Sequence, residues 1–304
     1  MLRRSRSVVA AAVVAAVALV GCSSSDGAVP AGGDDTISVV ASLGAWGDIA
    51  ARVGGNAVTV TSIIEDPEKD PHEYEASAQD QLVLSKADVV IENGGGFDDF
   101  IQRMIAASNN DDAVLISAVD TSGREAAGGG ELNEHFWYDY PSVKNMIEAL
   151  VSSFAKLDPG SAATFERNAE QLTAEVDGLI ERTADLRKEY AGTPIGITEP
   201  LAFYLLEAIG LDNTTPEDFS EALEEGDDVA PALMLDILDL YEKHEVDVLV
   251  YKEQRTGPQN EQVLAAARDN DIPVVMVQET FPPGQNYITW MNGILDELAS
   301  ALAR

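Results

Sequence analysis

Residues 159–190 read PGSAATFERNAEQLTAEVDGLIERTADLRKEY. Within them Phe165, Ala169, Leu172, Val176, Leu179, Thr183, Leu186 and Tyr190 step alternately by four and three residues, which lines one mostly apolar face of a single α-helix over about seven turns. At about 1.5 Å per residue that helix is about 45 Å long, more than one small lobe requires. On either side, β-branched runs alternate with helical spacing. Residues 37–42, 58–64, 87–91 and 113–116 read as strands, with helical stretches at 46–53, 78–86 and 97–107. Beyond the long helix the rhythm returns with strands at 195–198, 246–251 and 273–277. Strands separated by helices of this length predict parallel βαβ units. The fold class is therefore α/β, with two parallel-sheet lobes joined by one long backbone helix; the alternative is an amphipathic helix inside one large domain.

The chain has 304 residues, 53 acidic against 19 basic side chains, three His and one Cys, with a formal charge of −34. That charge excludes a nucleic-acid binder working by phosphate neutralisation. Length allows about two domains, and 45% hydrophobic content is ample for packed cores. A single cysteine excludes an intramolecular disulfide framework, a Cys-rich zinc ribbon and a self-contained Cys-ligated iron–sulfur cluster.

Arg3, Arg4 and Arg6 precede an uncharged apolar run at 8–20, the pattern of an export signal. The run is shorter than the roughly 20 residues a transmembrane helix needs. It ends in Leu19-Val20-Gly21-Cys22, which resembles a bacterial lipobox with cysteine at the first mature position. Acylation of the Cys22 thiol and of the freed amine would anchor the protein, since two or more chains hold far better than one. Ordinary signal-peptide cleavage beside an incidental cysteine is the other reading. Loss of residues 1–21 removes three arginines and takes the charge from −34 to −37. Residues 23–35 (SSSDGAVPAGGDD) hold nothing apolar enough to pack and read as a flexible tether. The expected layout is a signal peptide at 1–21, a tether at 22–35, an N-terminal lobe at 36–157, a connecting helix at 158–191 and a C-terminal lobe at 192–304.

Asn93-Gly94-Gly95-Gly96 follows a strand and opens a helix, but it lacks the Gly-Lys-Ser/Thr ending of a phosphate-binding loop and has Asp98 and Asp99 beside it. A tight strand-to-helix turn is expected there. Residues 126–130 (AAGGG) read as a loop. Two of the histidines sit in similar company, next to carboxylates and aromatics in loops: His72 just after the strand ending at Ile64, and His135 ahead of a helix. Such loops at the carboxyl ends of parallel strands are where open α/β sheets bind ligands. His244 ends a helix, where an imidazolium complements the dipole, and carries no site expectation.

Asp70-Pro71-His72-Glu73-Tyr74-Glu75 resembles the Asp-Pro-His-x-Tyr-Glu motif of the solute-binding lipoproteins of bacterial zinc and manganese ABC transporters. His135-Phe136-Trp137-Tyr138-Asp139 is similar to that family's His-x-Trp-Leu-Asp-Pro motif, although Tyr140 intervenes before Pro141. The resemblance runs from about Ile37 to the C-terminus and implies two lobes on one long helix, with the metal in the cleft between them. It implies four converging ligands, two from each lobe. His72 and His135 match the first pair. Glu199, ahead of Pro200 and a helix ending in Gly210-Leu211, matches the third, and Glu279 stands where the family usually has Asp. Glu253 is the competitor for the fourth place.

Neutral imidazole with carboxylate suits borderline to hard divalent metals, and two carboxylates neutralise a 2+ charge. If the acids bind through both oxygens the set offers five or six contacts, which favours manganese or ferrous iron over a strictly tetrahedral ion, while zinc binds the same atoms tightly. Zinc-selective relatives often carry a third His and a His-rich acidic loop, whereas position 199 is Glu and no His lies between His72 and His135. Manganese is expected first, zinc next and iron third. A metal saturated by protein groups is captured cargo and not a catalyst, because an enzyme keeps a position open for water or substrate. The expected protein is a monomeric, non-enzymatic, extracytoplasmic component of an importer that delivers its metal to a permease with its ATPase. A surface adhesin or metal chaperone of the same fold, a metallohydrolase using His72 and His135, and a binder of an organic solute are the alternatives.

Overall fold

A computed structural model describes residues 36–66, 74–125, 132–254 and 257–304. The signal peptide, Cys22, the tether, His72 and the Gly-rich stretch at 126–130 lie outside the described residues. β1 (Ile37–Leu43) is followed by α1 (Gly44–Gly54), β2 (Val58–Ile64), α2 (Ala78–Leu84), β3 (Val89–Glu92), α3 (Phe100–Ser108), β4 (Val114–Ser117), α4 (Ala118–Ser122), α5 (Tyr140–Leu157) and α6 (Ala162–Tyr190). The second half runs β5 (Pro194–Ile197), α7 (Phe203–Ile209), β6 (Asp212–Asn213), α8 (Glu217–Glu224), α9 (Pro231–Glu242), β7 (Val248–Lys252), α10 (Pro258–Asp269), β8 (Val274–Val277) and α11 (Tyr287–Leu302).

The strands form two four-stranded sheets, ordered β2-β1-β3-β4 and β6-β5-β7-β8, and every pairing is parallel. Consecutive residues Val39, Val40 and Ala41 are all fully buried, as are Val89, Val90 and Ile91, because helices cover both faces of a parallel sheet. Both sheets share one topology: the chain leaves the first strand to one side and returns to place the third on the other. That reversal opens a crevice at the carboxyl ends of the first and third strands, the usual place for a ligand in an open α/β sheet. β6, two residues long, has no periodicity to betray it in the sequence.

The long helix starts at Ala162, three residues later than its pattern suggested, because Asp158 accepts the Gly160 N–H at 3.0 Å and holds Pro159–Ser161 in a turn after α5. At 1.5 Å per residue, α6 is about 44 Å long. Its buried residues are Phe165, Ala169, Leu172, Val176, Leu179 and Thr183, six of the eight on the expected face, with Leu186 and Tyr190 half-buried. It packs against α1 and α5 from the first sheet's half and against α7 and α11 from the second. α11 crosses back: Tyr287 N–H donates to Asp48 Oδ2 at 3.0 Å and its hydroxyl donates to the Trp137 carbonyl at 2.6 Å. The Tyr138 hydroxyl in turn donates to the Gln278 carbonyl at 2.8 Å. One apolar cluster therefore includes residues from both sheets, and a second, around Phe219, Tyr241, Leu249 and Val263, fills the other side of the second sheet. Among the described residues no helix is long and apolar enough to cross a membrane.

Candidate metal centre

The loop after β3 holds one wall of the site. Gly94, Gly95 and Gly96 have φ of 77°, 72° and 99°, a left-handed turn open chiefly to glycine. The Asp98 carboxylate accepts the N–H groups of Asn93 at 2.6 Å and Gly94 at 2.8 Å, so the amides a phosphate would use are already taken by an anion. Asn93 then reaches outward, accepting the Trp46 indole N–H at 3.1 Å and donating to the Glu134 carbonyl at 2.9 Å. This pins the segment that carries His135 to the end of the first sheet.

His135 is 1% exposed and its ring packs edge-on against Phe97 and Trp137, with centroids 5.9 and 5.2 Å away. Asn133 orients it. The Asn133 Nδ2 donates to the Pro200 carbonyl at 2.8 Å, which leaves Oδ1 to accept from the His135 backbone N–H at 3.0 Å and to lie 3.1 Å from Nδ1. An acceptor facing Nδ1 assigns the proton there and turns the Nε2 lone pair inward, the arrangement by which a second partner prepares a metal-ligating imidazole. Nε2 lies 3.4 Å from Glu224 Oε1. Through Pro200, and through the Tyr204 hydroxyl that donates to the Asn133 carbonyl at 2.7 Å, the loop is fastened to the second half of the chain.

In the second sheet, Glu199 follows β5, Lys252 ends β7 and Glu279 follows β8. Because β7 lies between β5 and β8, Lys252 is placed between the two acids. Its Nζ is 2.9 Å from Glu199 Oε2 and 2.9 Å from Glu279 Oε1, with side-chain exposures of 5%, 5% and 1% for Lys252, Glu199 and Glu279. Burial works against the ammonium, but the charges and hydrogen bonds of Glu279 and Glu199 outweigh it and hold the Lys252 pKa above the usual lysine value. Asn260 Nδ2 donates to Glu199 Oε1 at 3.3 Å, and Gln254 Oε1 accepts the Glu279 N–H at 2.5 Å. Thr198 fixes the strand end by accepting the Lys252 N–H at 3.1 Å.

Glu224, the last residue of α8, joins the two groups. Its Oε1 is buried and accepts no hydrogen bond among the described residues. Burial first, then the negative charges of Glu134, Glu199 and Glu279, push its carboxyl up to about 9, against a smaller opposing pull from Lys252. Glu134, His135 and Glu224 each offer a donor atom, and these atoms lie within 4.8 Å of one another, close enough for one ion to bridge them. Imidazole and carboxylates at that spacing suit a divalent transition metal.

Of the residues expected from the sequence, His135, Glu199 and Glu279 are therefore brought into one buried neighbourhood, and His72 lies outside the described residues. Glu253 is exposed and accepts a hydrogen bond from the Gln278 amide. His244 is exposed at the end of α9, with φ of 52°. Sequence reasoning missed Glu134, Glu224 and Lys252. Glu224 carries no local signal, being one of many acids on a helix. Lys252 carries one: it closes the run Val248-Leu249-Val250-Tyr251, an apolar strand in which a lysine side chain is out of place unless an acid meets it.

The model of the family described as zinc-uptake complex component A, periplasmic (ZnuA), matches residues 39–301. The manganese-binding lipoprotein MntA of Halalkalibacterium halodurans is 29% identical over 208 residues, 66% of this chain and 67% of that protein. The manganese ABC transporter substrate-binding lipoprotein PsaA of Streptococcus pneumoniae is 22% identical over 96% of each chain. Among solved structures, the periplasmic zinc-binding protein TroA of Treponema pallidum superposes with a TM-score of 0.74 at 16% identity, over 88% of this chain and all of that one. The solute-binding protein FpvC of Pseudomonas aeruginosa, solved with Mn2+, gives 0.73 at 20% identity, over 88% of this chain and 98% of that one. These superpositions carry the fold, two four-stranded parallel sheets with helices. With a family model covering nearly all of the described residues, the chain belongs to the ZnuA family of periplasmic metal-uptake components.

Proposed function

We propose that this protein is the extracytoplasmic solute-binding component of an ABC importer, which captures a divalent transition metal and delivers it to a permease with its ATPase. The observation that carries the reading is buried His135 with half-buried Glu134 and Glu224, beside buried Glu199 and Glu279, at the carboxyl ends of two parallel sheets. The proposed ligands are His72 and His135 from the N-terminal lobe (36–157) and Glu199 and Glu279 from the C-terminal lobe (192–304), the lobes being joined by the helix at 158–191. Manganese is the favoured cargo, zinc next and iron third, since carboxylate oxygens are half of the proposed set. The relatives are named as binding or transport components for manganese, zinc or iron, which supports capture over hydrolysis. A lipid anchor on Cys22 holds the monomer at the outer face of the membrane beside its permease. Elemental analysis of protein purified without chelator tests the reading. A near-stoichiometric divalent metal is expected in the wild type and a marked loss in His135→Ala and Glu279→Ala; no divalent metal above trace in the wild type would refute it.

A further inference from the structure

The two carboxylates proposed as ligands in the second sheet already share a cation. We propose that Lys252 is a tethered competitor for the incoming metal: loading is an exchange in which the metal takes Glu199 and Glu279 from the Lys252 ammonium, and the ammonium returns to them as the metal leaves. The inference rests on the metal-capture reading above and adds to it a residue that sets affinity and assists release.

The geometry supports exchange over coexistence. Lys252 Nζ contacts one oxygen of each acid at 2.9 Å, so it stands between them, where a bridging ion would sit. All three side chains are almost fully buried, and an ammonium and a 2+ ion placed on the same pair would repel at contact with little solvent to screen them. The acids are held in place without the lysine, Glu199 through Asn260 and the Glu279 backbone through Gln254, so the pair can survive a change of cation. Lys252 is the last residue of its strand, and its four-carbon stem lets the charged head move while the backbone stays fixed by Thr198. One positive charge against two carboxylates leaves the pair net negative, and the negative charges of Glu199, Glu279 and Glu134 together outweigh Lys252 in holding a proton on nearby Glu224. A divalent ion therefore completes the local charge balance better than the ammonium does.

The test is titration of the mature protein with Mn2+ and, separately, Zn2+ in competition with a chelator, for the wild type, Lys252→Gln, Lys252→Met and Lys252→Arg. Removing the charge is expected to lower the Kd at least tenfold in the Gln and Met variants, while Arg, which keeps it, binds no tighter than the wild type. Gln or Met variants that fold only when metal is supplied would equally show one cation replacing the other. Unchanged or weaker binding by folded Lys252→Gln, or failure of both neutral variants to fold even with metal, overturns the inference. Absence of metal binding by the wild type refutes the capture reading itself and is thereby distinguished from failure of the exchange.

Discussion

The Asn133 side chain makes three hydrogen bonds at the junction between His135 and the second half of the chain, and Asn133→Ala removes them together. Oδ1 faces both the His135 N–H, at 3.0 Å, and Nδ1, at 3.1 Å, and Nδ2 donates to the Pro200 carbonyl at 2.8 Å. At a net value of about 0.5–1.5 kcal/mol for each bond, the variant should lose roughly 1.5–4.5 kcal/mol of stability. The effect on the metal is separable. Without the Oδ1 acceptor the imidazole is free to rotate or to change tautomer, and loss of such a partner typically weakens metal binding by about 10- to 100-fold. Urea unfolding in the presence of chelator measures the first quantity, and competitive metal titration of the folded variant measures the second. Asn133→Asp keeps an acceptor for Nδ1 but removes the donor to Pro200, so it should recover more of the affinity than of the stability. An alanine variant whose metal Kd stays within twofold of the wild type would refute the orienting role.

Asp98→Asn leaves one acceptor where two backbone N–H groups now donate, and should cost about 1–3 kcal/mol in urea unfolding for the amide left unpaired. Burial raises the native Asp98 pKa above 3.8, so the native state holds its proton more tightly than the unfolded chain. Its ionisation then removes stability as pH rises through the window above 3.8, and the Asn variant should show a flatter stability profile there; an equal or steeper slope would contradict the assignment. Gly196→Ala sets a Cβ 2.3 Å from the buried Tyr241 hydroxyl in the middle of β5, and a loss of about 1–3 kcal/mol is expected by thermal or urea unfolding. Because ligand imidazoles must be neutral, metal affinity should be weaker at pH 5 than at pH 7.5; calorimetric titrations giving equal affinity at both would count against histidine ligation.

Local physics explains which parts were legible. The 4-3 spacing from Phe165 to Leu179 and the β-branched runs near Val39, Val60 and Val250 report burial periodicity over a few residues, so they revealed α6, the alternating elements and the parallel class. Asp158, which turns the chain before Ala162, shifted only a boundary. Tyr138, Tyr287 and Asp48 bind the halves together across more than 130 residues of sequence, and no local pattern announces those pairings. The site divides in the same way. His135 and Glu199 stand in short motifs next to aromatics and proline, and a reader of the chain can find them there.

The sequence by itself determined the α/β alternation, the long helix, the acidic balance and the resemblance that points to a metal, because each is written in neighbouring residues. Only the tertiary structure decided that Glu224 of α8 meets His135, and that Lys252 falls between Glu199 and Glu279. Strand order made the second juxtaposition: β7 lies between β5 and β8, so the residue that ends it stands between the residues that follow its neighbours. In that buried place a lysine is held by the two acids proposed to receive the metal, and the chemistry of loading becomes a contest between cations.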